Sequence, residues 1–101
     1  MINFLEKHAS AIRQVCREHR VRRLDVFGSI TSETFHEKSD IDFLVEFDRE
    51  DYTGAFEQFM GFKMDLEALL GRKVDLVISR SFKNHHFRKE VEETKQFVYA
   101  A

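Results

Sequence analysis

Residues 24–47, LDVFGSITSETFHEKSDIDFLVEF, decide the fold. The stretch begins with a short apolar run that stops at Gly28 and ends with an alternating segment, DIDFLVEF, at 40–47. Side chains alternate between the two faces of a β-strand. One face of the second segment would therefore be apolar, and the other would carry Asp40 and Asp42. The stretch predicts two strands separated by a glycine turn and polar residues.

Helices and one more strand are predicted on either side of this stretch. Apolar residues at helical spacing predict a helix over residues 3–19 and another over about 53–70, which Gly71 would end. The run KVDLVI at 73–78 predicts a third strand, and FRKEVEETKQFVY at 87–99 predicts a closing helix. This order predicts an α+β fold in which a small sheet of about three strands is backed by helices.

The composition fits one globular domain over residues 1–101. Of the 101 residues 43% are apolar, and 11 residues are Phe. The 16 basic and 18 acidic residues give a net charge of −2, which argues against direct binding of nucleic acid through a basic surface. Cys16 is the single cysteine, so no internal disulfide can form, and no apolar run approaches the roughly 18 residues that span a membrane. We expect a cytoplasmic protein that binds no membrane.

Acidic residues at two places could carry chemistry. Asp40 and Asp42 lie two residues apart on the predicted strand, so they share one face, about 7 Å apart at the backbone. Asp75 lies inside an otherwise apolar strand, where an unpaired carboxylate is costly to bury. If the two strands are neighbours, the three carboxylates could hold one or two Mg²⁺ ions, which prefer oxygen ligands. Each acid alone could instead face water, and Asp25 and Asp65 are weaker candidates.

Gly28-Ser29 is the remaining candidate for a binding element. Glycine lets a ligand approach the backbone, and a helical turn after it would direct free N–H groups at a phosphate. Alone, the pair could equally form a plain turn. Combined with carboxylates on two strands, it supplies the parts needed for metal-assisted phosphoryl or nucleotidyl transfer.

These residues resemble the minimal branch of the DNA-polymerase-β-like nucleotidyltransferases. Residues 27–29 (FGS), ten further residues and then 40–42 (DID) match its GS-x10-D-x-D signature. The tail is similar as well, with VDLV at 74–77, FR at 87–88 and VYA at 98–100, and the resemblance runs from about residue 10 to the end. It implies a nucleotidyltransferase fold in a single minimal nucleotidyltransferase domain.

The resemblance also implies an activity and a partner. In this branch Gly28 and Ser29 would grip the triphosphate of ATP, while Asp40, Asp42 and Asp75 would be the catalytic acids that hold two Mg²⁺ ions. Many minimal members are antitoxins encoded beside a HEPN-domain toxin, and some transfer AMP from ATP to a tyrosine of that toxin, which blocks its RNase activity. The resemblance implies the same role here.

One segment departs from the family pattern. Members commonly continue Gly-Ser with an arginine and a second glycine, whereas residues 28–33 read GSITSE. A missing guanidinium removes bidentate pairing with phosphate, and Lys38 or His36 could substitute only as a point charge. A second hypothesis therefore stays open: a catalytically weak scaffold that neutralises its partner by direct binding through a Phe-rich surface.

Overall fold

The computed structural model describes residues 3–31, 39–79 and 85–101. Within these ranges no helix is long and apolar enough to cross a membrane. The elements in chain order are α1 (Asn3–Glu6), α2 (Ala9–Glu18), β1 (Val21–Phe27), a 3₁₀ helix (Gly28–Thr31), β2 (Ile41–Phe47), α3 (Ala55–Leu70), β3 (Val74–Ile78), α4 (His85–Thr94) and β4 (Gln96–Ala100).

The strands form one mixed sheet in the order β3-β2-β1-β4. β1 pairs antiparallel with both β2 and β4, and β2 pairs parallel with β3. The carboxyl end of β1 therefore meets the amino ends of β2 and β3 at the same end of the sheet. This topology brings the Gly28 turn beside the first residues of both acid-bearing strands.

The helices divide between the two faces of the sheet. α2 and α3 bury their apolar side chains on one face, where Ile12, Cys16 and Phe62 join the main core. On the other face a smaller cluster joins Phe27, Leu44 and Val91, with Val77 packed against it; Val91 lies on α4. Because Asp42 and Asp75 alternate with the main-core residues of their strands, they lie on this second face.

The structure divides the first predicted helix and ends the second one as predicted. The helix predicted over 3–19 is interrupted, because His8 has a non-helical backbone (φ −112°, ψ 12°) and its N–H bonds back to the Leu5 carbonyl at 3.0 Å. Gly71 ends α3 as predicted: its φ is +64° and its N–H donates to the Glu67 carbonyl at 2.9 Å.

The predicted closing helix over 87–99 is wrong in its second half. The helix ends at Thr94, and the segment from Gln96 forms a fourth strand, so the sheet has four strands rather than about three. Pairing with β1 satisfies the backbone of this segment and buries the Tyr99 ring opposite Leu24. Phe97 is 55% exposed and lies under the Arg23 guanidinium at 5.4 Å. Aromatic and β-branched residues suit such a half-buried strand.

Candidate active site

Gly28 packs directly on the carboxylate of Asp42. The preceding residue, Phe27, is the register partner of Asp42, so the turn begins beside that side chain. Gly28 has a left-handed backbone (φ +76°), and a β-carbon there would overlap Asp42 Oδ2 and lie 3.3 Å from Asp42 Cγ. Both the backbone conformation and the close approach require glycine. Ser29 follows in the same 3₁₀ helix.

Asp42 and Asp75 face each other across two neighbouring strands. They are register partners in the parallel pair of β2 and β3, so the two acid-bearing strands are neighbours, which the sequence had left open. Asp42 is half-buried and Asp75 is exposed. Two carboxylates from different strands therefore meet at the end of the sheet where Gly28 lies.

Asp40 is exposed and lies just before β2, in a backbone that is pinned on both sides. The Arg72 guanidinium donates to the Ser39 carbonyl at 2.7 Å, and the Ile41 N–H donates to the Lys73 carbonyl at 3.0 Å. These bonds tie the entry of β2 to the entry of β3. They hold Asp40 at the same end of the sheet as the other two acids.

The three acids form a concentration of negative charge. Burial, and to a smaller extent the neighbouring charges of Asp75 and Asp40, raise the pKa of Asp42 to about 6. The charged form of Asp42 is therefore disfavoured unless a cation compensates it. An all-oxygen set of this kind suits a hard divalent ion such as Mg²⁺.

The three carboxylates are more widely spread than a closed chelating set. Among the residues that the structure describes, the one group of three ligating side chains whose atoms all lie within 4.8 Å of one another is Glu18, His19 and Asp65. That group joins the end of α2 to α3, away from the acids of the second face. The looser spacing of the acids at Gly28 still fits Mg²⁺, which usually keeps several waters and binds through one or two carboxylates.

The two weaker candidates have partners that remove them from the site. Asp25 is 2% exposed, and Arg23 donates to it twice, from Nε to Oδ2 at 2.9 Å and from Nη2 to Oδ1 at 3.2 Å. Asp65 Oδ2 lies 2.6 Å from His19 Nε2. The sequence carried a signal for the first pair, because Arg23 stands two residues from Asp25 on one strand face. At the second pair the structure shows that Gly61 leaves room for the His19 ring, since a β-carbon there would lie 3.0 Å from its Cε1.

The two cations suggested as substitutes for the missing arginine, His36 and Lys38, lie outside the described residues. The described part of the chain carries the glycine turn, the two acids of the signature and the later acid Asp75.

The chain is similar to known nucleotidyltransferases in sequence and in structure. Residues 9–98 match the nucleotidyltransferase domain family. The chain is 37% identical over 81 residues to protein adenylyltransferase MntA of Thermococcus cleftensis, with 79% of each chain covered. A solved structure described as a minimal nucleotidyltransferase is 29% identical, with a TM-score of 0.75 over 94% of this chain and 93% of that one.

A solved complex shares the fold at lower identity. It holds a tri-AMPylated HEPN toxin of Shewanella oneidensis with its MNT antitoxin. The match is 21% identical, with a TM-score of 0.62 over 95% of this chain and 72% of that chain. With the family match over residues 9–98, these likenesses confirm the resemblance that the glycine turn and the spaced acids predicted, and the chain belongs to the nucleotidyltransferase domain family.

Proposed function

We propose that this chain is a Mg²⁺-dependent cytoplasmic antitoxin that transfers AMP from ATP to a tyrosine of a HEPN-domain toxin and thereby neutralises it. The observation that carries the proposal is the register pairing of Asp42 with Asp75 directly beside Gly28. The names of two similar proteins add support, since one is a protein adenylyltransferase and the other an MNT antitoxin bound to an AMPylated HEPN toxin.

Gly28 and Ser29 would bind the triphosphate. The 3₁₀ helix begins at Gly28, so the backbone that would contact the phosphate oxygens starts directly at the end of β1. The absence of a β-carbon at Gly28 lets the Asp42 carboxylate lie against this backbone. Nucleotide and acids would therefore meet at the end of β1.

Asp40, Asp42 and Asp75 would hold two Mg²⁺ ions. Their mutual repulsion, which contributes to the raised pKa of Asp42, is relieved when a cation is bound. Bound Mg²⁺ would lower the pKa of the attacking hydroxyl and stabilise the charge on the leaving pyrophosphate. The chain itself would position the acids: strand pairing fixes Asp42 and Asp75, and the hydrogen bonds on either side of Asp40 fix the third acid.

The acceptor would come from the partner protein. Asp40 and Asp75 are exposed, so a side chain of another protein can reach them. In the transfer, the tyrosine oxygen bonds to the α-phosphorus of ATP, the bond from that phosphorus to the β-phosphate bridging oxygen breaks, and pyrophosphate leaves. The hydroxyl proton is released to solvent.

A second function is favoured by one observation. Several large apolar side chains are exposed on the described part of the chain, namely Tyr52, Phe56, Met64, Phe87 and Phe97. Exposed apolar side chains of this size are enriched in protein interfaces. A scaffold that neutralises the toxin by occlusion, without catalysis, would use such a surface.

The test compares transfer with neutralisation in one set of variants. The chain would be incubated with the product of the adjacent gene, Mg²⁺ and ATP labelled on the α-phosphate, as wild type, Asp42→Asn, Asp75→Asn and the exposed control Glu93→Gln. We expect label on the partner with wild type and the control, and loss of both label and neutralisation with the two acid variants. Neutralisation by Asp42→Asn at equimolar dose would instead establish the scaffold.

A further inference from the structure

We propose that Glu67 is a positioning residue for the metal site: its carboxylate fixes the peptide bond before Asp75 and thereby sets how tightly the three acids bind Mg²⁺. The proposal rests on the proposed function, because it assigns a residue to the metal site of that reaction. Glu67 lies on α3, which packs on the main-core face of the sheet, opposite the acids. It would therefore act on the site through the backbone of β3 and not by touching the ion.

The peptide bond between Lys73 and Val74 is held from both sides. Its carbonyl accepts a hydrogen bond from the Ile41 N–H of β2 at 3.0 Å. Its N–H points the opposite way, because the two groups of a trans peptide lie in one plane and face apart. That N–H donates to Glu67 Oε2 at 3.0 Å. Since β3 is an edge strand of the described sheet, Glu67 supplies on its outer side the acceptor that a further strand would supply.

The bonded peptide lies next to both acids that face each other. Ile41 and Val74 are register partners, and the next pair in the same register is Asp42 with Asp75. Pairing is weakest at the ends of an element, and β3 has only five residues. If the first pair opened, Asp75 would lose its fixed position opposite Asp42. The bond from Glu67 holds that first pair closed.

Glu67 also holds the connection that leads from α3 into β3. Its own carbonyl accepts from the Gly71 N–H at 2.9 Å, and its side chain accepts from Val74, so one residue bonds to both ends of the three-residue connection. Between them, the Arg72 guanidinium donates to the Ser39 carbonyl on the far side of β2's entry at 2.7 Å. Val74 is 1% exposed and packs in the main core. The entry of β3 is therefore fixed at consecutive residues.

Fixing this entry matters because the acids repel one another. Burial, and to a smaller extent the charges of Asp75 and Asp40, raise the pKa of Asp42. Without a cation, that repulsion favours a wider spacing, and the edge strand is the part of the sheet that yields most easily. When the register is held in advance, none of the binding free energy of Mg²⁺ is needed to restore it. Groups that orient metal ligands typically change metal affinity by about 10- to 100-fold.

The test measures Mg²⁺ binding, separately from transfer. Calorimetric titrations would compare the wild type with Glu67→Met and with the control Glu57→Met, which is the same change at an exposed position of the same helix. Glu67→Met removes the acceptor and is expected to weaken Mg²⁺ binding about 10-fold, since it acts through one intervening residue. Glu57→Met should stay within about 2-fold of the wild type, because an exposed charge is screened by solvent.

Two further variants separate the hydrogen bond from the charge. Glu67→Gln loses the charge but keeps an acceptor oxygen at the same reach, so it should stay within about 3-fold of the wild type. Glu67→Asp keeps the charge but is one methylene shorter, so it should bind Mg²⁺ more weakly than Glu67→Gln. This comparison also carries the test if circular dichroism shows that Glu67→Met does not fold.

Amide hydrogen exchange of the metal-free protein supplies a readout that a general loss of stability would not give. In Glu67→Met the Ile41 N–H, which bonds to the Lys73 carbonyl, should exchange faster. Amides paired between β1 and β2 should keep their wild-type protection. In transfer assays the Mg²⁺ concentration at half-maximal rate should rise by the same factor as the dissociation constant, with a near wild-type rate at saturating Mg²⁺.

Four results would overturn the proposal: unchanged Mg²⁺ binding by Glu67→Met, equal weakening by Glu57→Met, weaker binding by Glu67→Gln than by Glu67→Asp, or a uniform rise in amide exchange. If Glu67→Met binds Mg²⁺ normally while the wild type labels its partner, this inference fails and the proposed function stands. If the wild type binds Mg²⁺ with the expected order of variants but transfers no AMP, the proposed function fails and the role of Glu67 at the metal site stands.

Discussion

Replacing Asp42 with Asn is expected to stabilise the metal-free fold while it abolishes AMP transfer. The folded protein raises the pKa of Asp42 from 3.8 to about 6, first through burial and then through the charges of Asp75 and Asp40. The folded state therefore favours the neutral carboxyl. Above pH 6 the carboxylate is charged and destabilises the fold, whereas near pH 4 it is protonated in the folded state and the penalty vanishes.

The size of the effect follows from the pKa. Each pKa unit corresponds to about 1.4 kcal/mol. A rise from 3.8 to about 6 therefore means that the charged Asp42 lowers the free energy of unfolding by at most about 3 kcal/mol. Asp42 is only half-buried, and screening by water and salt lowers this to about 1 kcal/mol. For a chain of this length, that corresponds to a Tm higher by about 5 °C in Asp42→Asn at pH 8.

The assay is thermal unfolding in EDTA at pH 4 and pH 8, with the exposed Glu93→Gln as the control. The control should differ from wild type by less than about 0.5 kcal/mol at either pH. Addition of Mg²⁺ at pH 8 should raise the Tm of the wild type more than that of Asp42→Asn, because only the folded site binds the ion. A stabilisation of equal size at pH 4 and pH 8, or a destabilised variant at pH 8, would refute the reasoning.

Three further outcomes are expected. Gly28→Ala should lower the free energy of unfolding by about 1–3 kcal/mol more than Gly54→Ala. Both glycines have a left-handed backbone, but of the two only Gly28 would bring the new β-carbon against another group. Equal losses of stability in urea titrations would contradict this prediction. Arg23→Met should lower the free energy of unfolding by about 2–4 kcal/mol, because it leaves the buried carboxylate of Asp25 without its partner. Arg22→Met removes only exposed ion pairs and should lower it by less than about 1 kcal/mol. Similar losses for the two variants in urea titrations would contradict this prediction. Burial raises the pKa of the Cys16 thiol to about 12, so a thiol reagent at pH 8 should label it only as the chain unfolds, and rapid labelling of the folded protein would be the contrary result.

The strand pattern predicted which strands carry the candidate acids but not that these acids lie side by side. Alternation over 40–47 assigned Asp42 to one face, and the apolar run at 73–78 assigned Asp75 to a strand. Alternation fixes which face a side chain takes, but it leaves open which strands are neighbours and in which register. The pairing of Asp42 with Asp75, and the packing of Gly28 on Asp42, are set by contacts between segments far apart in the chain.

The fourth strand was missed because local sequence favours two structures there. The charged residues of 88–95 have helical spacing, and the aromatic and β-branched residues that follow extend it without a proline or glycine to stop it. Hydrogen bonds to β1 and burial of Tyr99 decide the outcome, and both depend on a strand some 70 residues earlier. A pattern read along the chain does not contain that information.

The most direct test of the central claim is the intact mass of the HEPN-domain partner after incubation with this chain, ATP and Mg²⁺. The predicted result is a gain of one or more AMP units on the partner with the wild-type chain and no gain with Asp42→Asn. A tight complex in which the mass of the partner stays unchanged, with ATP and Mg²⁺ in excess, would contradict it.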